Sequence, residues 1–249
     1  MTARRSNGRM RVWVGCSGWY YRRWKGVFYP EDLPTHRWFA YYQEHFDIVE
    51  LNSPFYRFPK RATVRSWLRS VRSEFRFVVK VHRSISHYRH YDRWPAFYDA
   101  LEPLGDRLRV ILMQLPPSAR ADVDLWQSLL APLSVDFCHA IEFRHVSWFD
   151  MADRLCATAP PHVLLVSVSA PRSTGIPERL LVTHDRVYLR MHGRTAWYRH
   201  DYTDGELMLW IEQIRAACPE EVYVFFNNDV GGNAPRNALR MRTLLSAGA

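Results

Sequence analysis

The chain lacks long apolar runs and paired cysteines. No segment approaches 18 consecutive apolar residues, so a transmembrane helix is not expected. The basic N-terminus, MTARRSNGRMR, has no apolar stretch before the first predicted strand, which argues against a secretory signal. The cysteines at 16, 138, 156 and 218 form no CxxC pair, so their spacing indicates neither a zinc site nor an iron–sulfur cluster. Free thiols of this kind predict a cytoplasmic location.

The chain also lacks a linker, a low-complexity region and any visible domain break. Its 249 residues match the roughly 250 residues that are typical of one (β/α)8 barrel. With 47% hydrophobic residues it has enough apolar side chain for a large core. We therefore expect a basic tail over residues 1–10 and a single domain over residues 11–249.

Negative charge is in the minority, and the formal net charge is +9. A basic balance fits an anionic ligand or nucleic acid, because both are attracted by Lys and Arg. The positive residues are scattered along the sequence rather than clustered, which makes nucleic acid a possible but not the favoured partner.

Eight short apolar runs, each followed by polar or ionisable residues, dominate the pattern. Plausible helices occupy most of the intervals between them, so the alternation predicts the α/β class with a parallel sheet. Eight repeats favour a closed (β/α)8 TIM barrel. The stretch 169–185 has no helical pattern, so the sixth helix is expected to be replaced by a loop. The runs are 12–18, 47–52, 76–82, 109–117, 139–144, 163–169, 187–193 and 222–229.

Alternation along each strand predicts which side chains point into the barrel, because successive side chains on a strand face opposite sides. If the apolar members of each run face the helices, the polar members share the interior. Active sites of such barrels lie at the C-terminal ends of the strands. The residues placed inward by this argument are Glu50, Asn52, Lys80, His82, Gln114, Glu142, Arg144, Tyr188, Arg190 and His192.

Charged groups inside a barrel must be paired or hydrogen-bonded, so this set indicates a functional pocket or a structural polar network. We assign candidate catalytic roles to Glu50, Glu142 and His192, since two carboxylates can serve as acid and base. Either glutamate can instead be only a salt-bridge partner of a nearby Lys or Arg. Glu50, Glu142 and His192 are also able to bind a metal, but the signal is weak and no metal ligand is assigned. The cofactor is left open.

The last two loops add candidates for anion binding. In such barrels, phosphate sites often follow strands seven and eight. Gly231 and Gly232 precede a predicted helix and can present backbone N–H groups to an anion, although a turn that needs glycine only for chain direction explains them equally well. The eighth strand ends in Asn227 and Asn228, and its apolar run does not decide which of the two faces inward.

At these residues the sequence resembles the YecE-like proteins, a family of unknown function numbered 72. The resemblance runs in order through nearly the whole chain and implies a TIM barrel, but it implies no reaction. It adds Ser17, Trp19 and Tyr56 to the strand-end residues and selects Asn228. The matching segments include GCSGWYY at 15–21, VELNSPFYRFP at 49–59, FVVKVHRSISH at 77–87, QLPPS at 114–118, IEFRHVSW at 141–148, YLRMHG at 188–193 and GGNAPRNA at 231–238.

Our leading hypothesis is an enzyme, a hydrolase or isomerase, that acts on a small polar anionic substrate such as a phosphorylated sugar or a nucleotide-like compound. Trp19, Tyr56 and Trp148 would stack on a ring of that substrate. The alternatives are a nucleic-acid-processing protein and a ligand-binding module without catalysis. The sequence leaves the oligomeric state open and gives no sign of membrane association. The substrate-binding candidates are Ser17, Trp19, Asn52, Tyr56, Lys80, His82, Gln114, Arg144, Trp148, Arg190, Asn228, Gly231 and Gly232.

Overall fold

The computed structural model describes residues 10–69 and 71–247, and eight parallel strands form its centre. The predicted (β/α)8 barrel of a single domain is confirmed. Neighbouring strands pair in the order β1, β9, β8, β6, β5, β4, β3, β2. The strands are β1 Arg11–Cys16, β2 Ile48–Leu51, β3 Arg76–Lys80, β4 Leu108–Gln114, β5 His139–Glu142, β6 Val163–Ser169, β7 Val182–Thr183, β8 Arg186–Met191 and β9 Glu221–Phe226.

The helices fill the intervals between the strands and cover the outside of the barrel. They are α1 Trp38–His45, α2 Ser53–Tyr56, α3 Arg61–Leu68, α4 Arg83–Ser86, α5 Trp94–Leu101, α6 Val123–Leu130, α7 Ala152–Thr158, α8 Asp204–Ala217 and α9 Asn233–Ser246. Among the described residues no helix is long and apolar enough to cross a membrane.

The interval after β6 is irregular, as the sequence predicts. It contains a 3-10 turn, Arg172–Thr174, and then an extended segment that ends in β7. β7 pairs antiparallel with β8 and stands outside the barrel order. Of the basic tail predicted over residues 1–10, only Met10 lies within the described residues.

The barrel closes between β1 and β2 through a close approach instead of a full ladder. A Cβ built on Gly15 would lie 2.5 Å from the backbone oxygen of Ile48, so only glycine allows the two strands to come this near. The Tyr42 hydroxyl, from α1, accepts a hydrogen bond from the Cys16 N–H at 2.9 Å and donates one to the Ile48 oxygen at 3.0 Å. A parallel bridge between Ser17 and Glu50 completes the ring at its C-terminal end.

Candidate functional site

Arg190 is the centre of a fully buried ion network at the C-terminal end of the barrel. It comes from β8, and its guanidinium pairs with Glu50 of β2 and Glu142 of β5. All three side chains have no solvent exposure. Burial of this kind is costly unless the charges are paired and their remaining hydrogen-bonding positions are filled.

Glu50 has every bond that its two oxygens need. Its Oε1 accepts hydrogen bonds from the Ser17 hydroxyl at 2.6 Å and from Arg190 Nη2 at 2.5 Å. Its Oε2 accepts from the Tyr188 hydroxyl at 2.8 Å and from Arg190 Nε at 3.0 Å. The carboxylate is therefore held in place from β8 and from the end of β1, and no lone pair is left for a substrate.

Glu142 is held as firmly on the other side of Arg190. Its Oε1 lies 2.6 Å from Arg144 Nε and 3.1 Å from His192 Nε2, while its Oε2 accepts a hydrogen bond from Arg190. Burial opposes its ionisation, but Arg190, Arg144 and His192 outweigh burial and hold the pKa of Glu142 well below its ordinary value. Glu142 is consequently a permanent anion near neutral pH.

His192 is buried and neutral. Burial, helped by the charge of Arg144, lowers its pKa to about 3. The Asn227 amide donates a hydrogen bond to His192 Nδ1 at 3.1 Å, so Nε2 carries the imidazole proton. Nε2 donates a hydrogen bond to Glu142. A neutral imidazole whose two nitrogens are both engaged orients Glu142 and has no free position for a ligand.

Lys80, Gln114 and Arg144 form a row on the solvent side of this network. The Gln114 Oε1 accepts a hydrogen bond from Lys80 Nζ at 2.8 Å and from Arg144 Nη2 at 3.3 Å. Lys80 and Gln114 keep 9% and 8% of their surface exposed, and the Arg144 side chain keeps 7%. These residues, unlike Glu50 and Glu142, keep some of their surface open at the barrel mouth.

An aromatic ring covers each end of the row. Lys80 Nζ lies 4.3 Å from the centre of the Phe55 ring, and the Arg144 guanidinium lies 4.3 Å from the centre of the Trp197 ring. Phe55 belongs to α2, after β2, and Trp197 to the loop after β8. The sequence reasoning missed both rings because loop residues follow no period that fixes their direction.

Burial brings the pKa of Lys80 down from its ordinary value to about 7. Arg190 and Arg144 lower it further, while Glu142 and Glu50 oppose the shift. No carboxylate of the described residues lies within ion-pair distance of Lys80 Nζ, so nothing restores the charge through direct contact. The amine is the only side chain in the row that changes protonation near neutral pH.

Four predicted binding residues stand around this centre. Ser17 bonds Glu50, and its backbone oxygen accepts from the Asn52 amide at 3.4 Å. Asn52 Oδ1 is buried with no partner among the described residues. Trp19 stacks on Phe39 at 4.3 Å, partly buried, and Tyr56 is 69% exposed. Ser17 and Asn52 thus belong to the network, whereas Trp19 and Tyr56 lie outside it.

Trp148 and His82, both predicted to bind substrate, have structural contacts in the fold. Trp148 is fully buried, lies flat on Phe143 at 4.3 Å and donates its indole N–H to the Ala119 oxygen, so no face of the ring is open to a ligand. His82 caps α4, since its Nδ1 accepts from the Ser84 N–H at 3.1 Å.

The loop after β9 contains three further predicted binding residues, Asn228, Gly231 and Gly232, each with a structural contact or conformation. Asn228 donates to the His200 oxygen and to Asn237 Oδ1, both at 2.7 Å, and so fastens two loops together. Asn227, the alternative that the apolar run left open, is the one that contacts His192. Gly232 has a left-handed φ of 71°, and a Cβ there would lie 2.6 Å from Val27 Cγ1. Gly231 likewise has a positive φ, of 70°. Chain geometry accounts for both glycines without an anion.

The arrangement has the chemistry of an amine beside fixed charges. Among the residues described, no three His, Cys, Asp or Glu side chains gather as a metal site. What remains reachable from the mouth is a titratable amine, an amide and a guanidinium, which together can bind an anionic group and transfer a proton.

Comparisons with known proteins agree with the resemblance read from the sequence. A family model described as "Protein of unknown function DUF72" matches residues 13–249. The chain is 24% identical to the UPF0759 protein YunF of Bacillus subtilis (strain 168) over 270 residues, covering 94% of each protein. It is 30% identical to the UPF0759 protein YecE of Escherichia coli (strain K12) over 146 residues, which is 55% of this chain and 50% of that protein.

Solved structures resemble it over nearly their whole length. A DUF72 family protein from Thermotoga maritima MSB8 superimposes with a TM-score of 0.83 at 32% identity, covering 95% of this chain and 99% of that one. One from Enterococcus faecalis V583 gives a TM-score of 0.80 at 23% identity, covering 94% and 95%, and supports the fold alone. Together with the family model, these matches show that the chain belongs to the DUF72 family of YecE-like barrel proteins, whose function is unknown.

Proposed function

We propose that this chain is an enzyme that acts on a small polar anionic substrate by acid/base chemistry at the C-terminal mouth of the barrel. One observation carries the proposal. Burial brings the pKa of Lys80 to about 7, 9% of its surface is exposed, and its amine shares the Gln114 amide oxygen with the Arg144 guanidinium. A group whose pKa lies near the working pH is best suited to give and take protons.

The roles within the site follow from which atoms are free. The hydrogen-bonding positions of Glu50 and Glu142 are filled by Arg190 and its neighbours. These carboxylates therefore contribute fixed negative charge and do not exchange protons with substrate. Arg144 would bind the anionic group and Lys80 would transfer the proton, as in a hydrolase or isomerase. Phosphorylated sugars and nucleotide-like compounds carry such a group beside the exchangeable protons that this chemistry needs.

Binding of simple anions tests this proposal without knowledge of the substrate. Isothermal titration with inorganic phosphate and with pyruvate is expected to show one site in the wild type. Arg144→Gln should weaken it by about tenfold, the loss of one charge-assisted bond. Arg154→Gln, an exposed site on α7, is the matched control and should bind as the wild type does. Equal affinity in Arg144→Gln would remove the mouth as the anion site, and turnover screens with candidate substrates then separate an enzyme from a binding module.

A nucleic-acid partner is the second candidate, and the exposed aromatics favour it. Tyr20, Tyr56, Tyr88 and Tyr198 are the exposed aromatic residues of the described chain, with 59%, 69%, 62% and 39% of their surface open. All four follow C-terminal strand ends, after β1, β2, β3 and β8 respectively. Exposed arginines, including Arg57, Arg83, Arg89 and Arg199, share these loops. Aromatics beside a basic groove are typical of proteins that stack the bases of single strands.

Fluorescence anisotropy with a labelled single-stranded oligonucleotide separates this candidate from the first. Binding should fall steeply between 50 and 200 mM salt, on the order of tenfold or more, because counterions are released. Tyr56→Ala combined with Tyr88→Ala should weaken it by about tenfold or more, since each base stack contributes about 1–3 kcal/mol. No binding at the lower salt concentration would remove the nucleic-acid candidate and leave the small-substrate proposal intact.

A further inference from the structure

Lys80 is one of only three lysines in an arginine-rich chain. The other two, Lys25 and Lys60, are exposed, and Lys25 lies 3.7 Å from the carboxylate of Glu31. Lys80 instead lies at the end of β3, 9% exposed, with the face of Phe55 against its amine and a single hydrogen bond to Gln114. An amine that only maintained positive charge at this position would be better replaced by the guanidinium that the chain uses elsewhere.

The groups that face Lys80 favour its neutral, nucleophilic form. Burial is the main cause of its lowered pKa, and Arg190 and Arg144 lower that pKa further, while Glu142 and Glu50 raise it without touching the amine. The His87 ring contacts the Phe55 ring edge to face, with 5.0 Å between the ring centres, and its own pKa is lowered by burial and by the charges of Lys80 and Arg144. Lysines that are desolvated beside other cations are the ones that attack carbonyl carbons in known enzymes.

We propose that Lys80 forms a Schiff base with a small aldehyde or ketone that carries an anionic group, held by Arg144. The proposal rests on the function proposed above and adds to it a carbonyl substrate class and a covalent intermediate. Lys80 Nζ and Arg144 Nη2 both contact the Gln114 Oε1, so they lie no farther apart than two hydrogen bonds laid end to end. That spacing suits a compound whose carbonyl and anionic group are separated by one to three bonds.

The covalent step consumes one proton from solvent and releases one molecule of water. The lone pair of the neutral Nζ attacks the carbonyl carbon, a C–N bond forms, and the π electrons move to oxygen. The C–O bond then breaks, and the oxygen leaves as water with one proton from the amine and one from solvent. The remaining N–H belongs to a cationic iminium, which faces the Phe55 ring. A neighbouring C–H bond can lose its proton to water while its electrons form an enamine. Return of a proton to that carbon restores the iminium, and water then hydrolyses it to the carbonyl compound, the neutral amine and a proton.

Reductive trapping tests the proposal on the intact chain. The protein is incubated at pH 7 with glyoxylate, pyruvate or dihydroxyacetone phosphate in the presence of cyanoborohydride, with acetone as the uncharged comparison, and the lysine peptides are quantified by mass spectrometry. Lys80 should be alkylated at least about tenfold faster than Lys25 or Lys60, because about half of its amine is in the neutral, nucleophilic form at this pH, whereas a lysine with the ordinary pKa is almost fully protonated. Carboxylate and phosphate compounds are compared to identify the preferred anionic group.

Variants separate the covalent step from the binding step. Lys60→Arg should leave the adduct in place, and Lys80→Arg should lose it. Arg144→Gln should slow its formation far more with the anionic compounds than with acetone, for which only the higher pKa of Lys80 matters. Alkylation of Lys80 no faster than that of Lys60 would overturn the Schiff base, even if titration still showed anion binding that depends on Arg144. If titration showed no anion binding by the wild type, the proposed function itself would be removed.

Discussion

Arg190 and Glu50 pair through two parallel hydrogen bonds across the interior of the barrel, from Nε to Oε2 at 3.0 Å and from Nη2 to Oε1 at 2.5 Å. They come from β8 and β2, which are not neighbours in the sheet. Bidentate pairs of this geometry are among the strongest charge-assisted contacts. The pair therefore links two strands that are not neighbours. Lys80, Gln114 and Arg144 lie on the solvent side of it.

Replacement of Arg190 should destabilise the fold strongly. Arg190→Met leaves the buried Glu50 without its counter-ion and Glu142 with Arg144 alone, and breaking a buried pair in this way costs about 3–5 kcal/mol. Urea unfolding measures the loss. Arg240→Met, which removes an exposed ion pair with Asp204, is the control and should cost at most about 1 kcal/mol. A loss as small as that of the control would mean that Arg190 does not hold the network together.

The closure of the barrel depends on the absence of a side chain at Gly15. In Gly15→Ala the added Cβ would meet the backbone oxygen of Ile48 at 2.5 Å, so β1 and β2 must separate, at a cost of about 1–3 kcal/mol. Gly205→Ala in α8 has open space around the Cβ and should be neutral or slightly stabilising. Thermal unfolding of both variants checks the difference, and equal behaviour would contradict the closure described for β1 and β2.

The low pKa of Lys80 has a consequence for stability with a definite sign. Between about pH 7 and its ordinary pKa of 10.5, the unfolded chain binds a proton at this lysine that the folded chain has lost. The free energy of unfolding should therefore rise with pH in this window through Lys80, by up to about 1.4 kcal/mol per pH unit. Lys80→Met removes this contribution, so its stability relative to the wild type should fall as the pH increases. Lys60→Met, exposed and outside the site, should show no such trend in unfolding measured at pH 6.5, 8 and 9.5.

His82 should affect stability and not ligand binding. His82→Ala removes the cap of α4 and is expected to cost about 0.5–2 kcal/mol, whereas His82→Asn keeps a capping side chain and should recover most of that loss. Anion titration of both variants should match the wild type. A loss of binding in His82→Asn with unchanged stability would return His82 to the site.

Strand alternation predicts the inner set of residues because it depends only on the period of two along each strand. Glu50, Lys80, Gln114, Glu142 and Arg190 all meet where that period places them. Alternation cannot say which of several charges pair. The sequence therefore assigns acid/base chemistry to two carboxylates whose hydrogen-bonding positions are filled by Arg190 and its neighbours. The reachable amine becomes visible only once the pairing is known.

The residues that the sequence misplaces lie beyond the strands. Trp148 ends a 3-10 turn, where three residues per turn aim its ring back at Phe143, and no period in the sequence marks that direction. Phe55 and Trp197 approach the site from loops that other contacts position. Asn227 and Asn228 are adjacent and chemically identical, so only the register of β9 decides which one contacts His192.

The titration of Lys80 itself tests the central claim most directly. With lysine labelled by ¹³C at Cε, the chain gives only three lysine signals to follow by NMR as the pH changes. One signal, absent in Lys80→Arg and present in Lys60→Arg, should titrate with a pKa of about 7. Three signals that all titrate at the ordinary lysine pKa, about 10.4, would contradict the account of the barrel mouth as a reactive amine site.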